Sequence, residues 1–211
     1  MNAVTITSIT NFMLASEVFF VAGMLVQLPK ARFSAAWFWA ATLSLLALAA
    51  LLGGIDHGFF EGAGLSRYFI QRADWIVLGL MTFGTLMTIA TQFFSREAQR
   101  FFLIFGIIQF AVNTIIVLLI DSFLDVILNY MPVMILLLVM NISGLKQGTG
   151  SWRLIAGILI LFTASAIQAL GIDRFSPVDR NGLYHLITML GVIFLYLGGL
   201  HLQNAANREN K

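Results

Sequence analysis

The stretch AAWFWAATLSLLALAALLGGIDHGFF, residues 35–60, decides the fold. No charged residue appears in it before Asp56. A helix rises about 1.5 Å per residue, so about 20 such residues cross a hydrocarbon core about 30 Å thick. The apolar positions are continuous and do not alternate, which predicts a membrane helix rather than a barrel strand. Working outward, the same pattern recurs at about 8–28, 72–94, 101–120, 123–143, 152–172 and 182–202. Charged or turn-forming residues bound these runs: Lys30 and Arg32, Glu61, Arg96, Asp121, and Lys146 ahead of Gly148-Thr149-Gly150. The sequence therefore predicts an all-α, seven-helix transmembrane bundle forming one domain over residues 1–211.

Composition agrees. Hydrophobic residues make up 59% of the chain and charged residues 10%, against roughly 25% charged in soluble domains. Mean hydropathy is +0.90. There is no cysteine, which excludes disulfide scaffolds, zinc fingers and thiol nucleophiles. A net charge of +2, from scattered Lys and Arg, excludes a nucleic-acid-binding patch. Residues 1–8 carry no Lys or Arg, and Glu17 interrupts the first apolar run, so that run reads as a span and not a cleaved signal.

The positive-inside rule orients the bundle. One side would hold Lys30, Arg32, Arg96, Arg100, Lys146, Arg153, Arg208 and Lys211; the other would hold Arg67, Arg72, Arg174 and Arg180. This asymmetry predicts an outside N-terminus, a cytoplasmic C-terminus and a plasma-membrane location.

Ionisable and polar groups within a bilayer are costly, and each is a functional candidate. Given that orientation, most of them fall in the outer half: Asn11 and Glu17, Asp56 and His57, Asp74, Gln109 and Asn113, Asp125 and Asn129, Gln168, and Asn181 with His185. Gln92, Asn141 and His201 are inner-side exceptions, expected at span ends near water. Gln109/Asn113, Asp125/Asn129 and Asn181/His185 are each four residues apart and so share a helix face. The pattern predicts a polar pocket open toward the outer surface, lined by Asp56, Asn113, Asn129, Gln168 and Asn181. The amides can alternatively act as interhelical glue, worth about 0.6 kcal/mol each. Asp121, Asp125, Asp173 and Asp179 at span ends can simply be solvated.

Histidine chemistry narrows the function classes. His201 follows His185 by about 24 Å of helix and cannot share its site. His57 ends one span and His185 begins another, at one depth. With a carboxylate, two neutral imidazoles can hold a zinc whose open position activates water. Glu17, Asp56, Asp74 and Asp179 are the available acids. Two imidazoles can also serve as axial haem ligands. A retinal Schiff base is excluded, because Lys30, Lys146 and Lys211 all lie outside the spans. Proton or ion movement lacks matching acids in the inner half. Gly53-Gly54 reads as close helix packing.

A span-two His57, an early span-three Asp74, and the run Asp179-Arg180-Asn181-Gly182-Leu183-Tyr184-His185-Leu186 at the start of span seven resemble the CREST superfamily. That group includes alkaline ceramidases and progestin/adipoQ receptors. The resemblance implies a seven-helix fold, a helix-buried zinc and hydrolysis of a lipid amide. His57 would be the span-two zinc ligand, and Glu17 is similar in placement to the span-one acid of the ceramidases. Asn181 stands where the family's H-x-x-x-H motif begins, and Gly53 stands where it has a serine.

The leading expectation is a metal-dependent hydrolase of a lipid or amphiphile. His57, His185 and Asp179 would hold the zinc, with Asp74 and Glu17 as catalytic acids or bases. The alternative is a non-enzymatic receptor, carrier or assembly factor that binds a small polar or lipid ligand in the same pocket.

Overall fold

The computed structural model describes residues 3–172 and 178–209, with side chains as far as residue 202. Among these, seven helices are long and apolar enough to cross a membrane. They are α1 (Ala3–Gln27), α2 (Ala35–Ile55), α3 (Leu65–Phe93), α4 (Arg96–Leu119), α5 (Phe123–Gly144), α6 (Trp152–Ala169) and α7 (Arg180–Glu209). Asp173 and Arg174 lie outside the described residues.

Local chemistry explains most of the helix ends. Ser34, Ser95 and Ser151 cap α2, α4 and α6 by accepting from the backbone N–H three residues on, satisfying a donor that the first helical turn leaves free. Asp179 does the same for α7, accepting from the Gly182 N–H at 2.9 Å. At the end of α1, Lys30 Nζ donates to the Leu25, Val26 and Leu28 carbonyls at 2.6–2.8 Å. The Leu25 and Val26 carbonyls lie in the last turn of α1 and carry the negative end of its dipole.

Two ends differ from the expected spans. α3 begins at Leu65, ahead of the predicted position 72, because Arg67, Gln71 and Arg72 occupy polar turns that precede the apolar run. α2 widens after Ile55 into a π-helical turn, Asp56–Phe60. Such turns are rare and frequent at functional sites.

The helices close a ring in the order α1, α2, α3, α5, α6, α7, and α4 packs outside it against α3 and α5. One end of the ring is filled. Trp39, Leu43, Ile89, Leu137, Ile158 and Val192 pack there, fully buried or nearly so. Trp39 Nε1 donates to the Leu195 carbonyl at 3.0 Å and ties α2 to α7 across the ring. The opposite end, where α2 and α6 finish and α1, α3, α5 and α7 begin, is not filled. Large apolar side chains of α4 and α5, such as Ile104, Ile108, Val112, Leu128 and Ile135, point outward and exposed. An apolar belt of that extent is suited to lipid contact.

Candidate functional site

The unfilled end opens into a cavity of about 390 Å³ bounded by α1, α2, α3, α5, α6 and α7. That volume falls in the range of ordinary ligand pockets. Its lining is graded along the bundle. At one end stand Asn11, Asp56, His57, Gln71, Asp74, Gln168, Asn181 and His185. At the other stand Leu43, Leu46, Met81, Leu161, Phe162 and Leu195. From Asn181 to Leu195 along α7 the lining runs about 21 Å.

Glycines let α1 approach α2 at the polar end. A Cβ on Gly54 would lie 2.9 Å from the Phe12 ring, and one on Gly58 would lie 2.5 Å from Ser8 Oγ. Ser8 Oγ in turn donates to the Gly54 carbonyl at 2.9 Å. The Gly53-Gly54 pair is a close helix crossing.

The π turn carries an ion network. Arg67 Nε donates to Asp56 Oδ1 at 3.1 Å, and Arg67 Nη1 lies 2.8 Å from Glu61 Oε1. His57 Nδ1 donates to Glu61 Oε2 at 3.0 Å. Across the cavity, Thr10 Oγ1 and His185 Nδ1 share a hydrogen bond of 2.9 Å. Gln168 Nε2 donates to Asn181 Oδ1 at 3.0 Å and joins α6 to α7. Asp74 has no such partner: its Oδ1 is buried and unbonded while the residue lines the cavity.

Of the residues singled out from the sequence, Asp56, His57, Asp74, Gln168, Asn181 and His185 line this one cavity. Asn113 and Asn129 do not. Asn129 Oδ1 accepts from Gln109 Nε2 at 2.8 Å, which joins α5 to α4. The Asn113 amide faces α3, 2.6 Å from where a Gly79 Cβ would be. A shared helix face brought each pair together, but the face of α4 meets its neighbours rather than the cavity. Glu17 is half-buried in α1, apart from the lining.

The zinc set separates as well. Asp179 caps α7 and accepts from Thr7 Oγ1 at 3.3 Å. Its ligand atoms do not gather with those of His57 and His185. Among the described residues, the group close enough to share an ion is Asp56, His57 and Glu61, with ligand atoms within 4.8 Å of one another. The guanidinium of Arg67 already lies on both carboxylates of that group. A zinc there would have to displace this cation, so the donor set does not fit the metal.

Several lining residues carried no sequence expectation: Trp39, Thr42, Trp75, Thr85, Tyr130, Ser165, Tyr184 and Thr188. The signal available was weak. Tyr184 adjoins His185, and Tyr130 is a phenol inside an apolar span.

A family model described as a family of unknown function (DUF6962) matches residues 6–204. No curated protein and no solved structure matches the chain.

Proposed function

Taking as premise that the chain belongs to this family of unknown function, DUF6962, we propose that it binds an amphiphile within the membrane, as a receptor or carrier. One observation carries the reading: a single cavity gathers amides, acids and imidazoles at one end of the bundle and is lined mainly by apolar side chains, with Thr42 and Thr85 among them, along the rest of its length. A polar head can exchange its water for the amides, hydroxyls and acids of the first end. An apolar tail of matching length gains from contact with the second. The Lys and Arg distribution supports an N-terminus outside, with the polar end at the outer surface of the plasma membrane.

Trp39 and Trp75 both line the cavity and report on its contents. In nanodiscs of unbrominated lipid, an alkyl maltoside with a brominated tail should quench tryptophan fluorescence saturably. The unbrominated compound should compete. Ala50→Phe, which places a ring in the cavity, should remove the saturable component. Quenching that only rises linearly with added amphiphile in the wild-type protein would sink the proposal.

A hydrolase is the second reading, favoured by the unpartnered Asp74 carboxylate in one cavity with two imidazoles. These are the residue types of general acid–base chemistry. Asp74 would take a proton from water at the polar end, and no step would pass through a metal. Release of an acyl chain by the wild type and not by an Asp74 variant would move the reading from carrier to enzyme.

A further inference from the structure

The polar end is not neutral ground for every head group. Its lining includes the acids Asp56 and Asp74 and, among the described residues, no Lys or Arg. Asp56 is answered from outside the lining by Arg67, whose Nε and Nη2 reach both of its oxygens at 3.1–3.4 Å. Asp74 is not answered. Arg72, two residues away, makes no ion pair with it: Nη2 donates to the exposed Asp121 at 3.0 Å, Nε and Nη1 are buried without a hydrogen bond, and the guanidinium stacks on Tyr68 at 4.5 Å and on Trp75 at 4.4 Å. The two histidines that line the cavity spend Nδ1 on Glu61 and Thr10.

We infer that the head group bound here is an ammonium cation on an apolar tail, held by the Asp74 carboxylate against the rings that line the same end. The inference rests on the amphiphile reading and names the chemistry of its head. A buried carboxylate without a partner is disfavoured in its ionised form, and a bound ammonium supplies the counter-charge. Trp75, Phe123, Tyr130 and Tyr184 line the cavity with it, and aromatic faces attract ammonium groups through the ring quadrupole. A phosphate or sulfate head would meet Asp74 with no positive partner. A neutral head would offer the carboxylate no counter-charge.

Three amphiphiles with the same brominated tail and trimethylammonium, maltoside or phosphate heads make the test, by tryptophan quenching of the full chain in nanodiscs. The ammonium compound should bind at least ten-fold tighter than the maltoside, and the phosphate should show no saturable quenching. Asp74→Asn should erase the ammonium advantage over the maltoside, whereas Asp74→Glu should keep it. If Asp74→Asn does not fold, Tyr184→Phe should retain the preference and Tyr184→Leu should lose it several-fold. Equal binding of all three heads would overturn this inference and leave the amphiphile reading standing. An ammonium advantage that persists in Asp74→Asn would overturn it too, as would tighter phosphate binding. Saturable quenching by none of the three would overturn both.

Discussion

Asn141 shows what a single buried amide does in this protein. Its side chain is 0% exposed. Asn141 Nδ2 donates to the Leu137 carbonyl, and Oδ1 accepts from the Ser151 N–H, both at 2.9 Å. The second bond pins the start of α6 to the end of α5, beside the turn through Gly148, whose φ of +74 suits a residue without Cβ. Asn141→Ala leaves the Ser151 N–H buried and unbonded, which should cost about 1–3 kcal/mol and lower the melting temperature in a fixed detergent. An unchanged melting temperature would refute that account. The sequence places Asn141 near a span end and so near water, an expectation the structure corrects. Hydropathy registers the depth of a residue but not a loop that folds back over it. Asp56 and His57 were legible for the opposite reason: an ionisable group closing an apolar run has no inexpensive place but a polar cavity or the interface.

At the scale of elements, the seven helices were legible because apolar length is a direct physical requirement of crossing a bilayer. The π turn was not, since an extra residue in one turn leaves no periodic trace in five positions. Helix contacts were partly legible. Along the α6–α7 seam, a Cβ on Gly157 would lie 2.7 Å from the Leu195 side chain and 3.2 Å from the Gly191 carbonyl, and one on Gly191 would overlap the Leu161 side chain. Small residues thus let two backbones approach, as in other membrane helix pairs. Gly191→Val should overpack this seam and destabilise the protein by about 1–3 kcal/mol. Gly23→Ala in α1, where a Cβ would meet nothing within 4 Å, should be near neutral. Thermal unfolding of the two variants side by side checks the contrast, and equal losses would contradict it.

For the molecule as a whole, the proposed orientation makes a prediction that the absence of cysteine renders simple to test. Ala63 and Lys146 are both exposed, in turns at opposite ends of the bundle. On intact cells, a membrane-impermeant maleimide should label Ala63→Cys, whereas Lys146→Cys should react only after permeabilisation. The reverse pattern would invert the orientation. Which helices surround the cavity was not legible, because helix neighbours are chosen by packing and not by hydropathy. Gln109 and Asn113 looked equivalent to Asn181 and His185 in spacing, yet α4 stands outside the ring. That exclusion gives α4 a different part to play, one of parity. Each crossing reverses the direction of the chain, so a protein lacking this one crossing would insert α5, α6 and α7 upside down. Gln168, Asn181 and His185 would then face the opposite surface from Asp56 and Asp74. A helix with no side chain in the cavity decides on which side of the membrane Gln168, Asn181 and His185 stand.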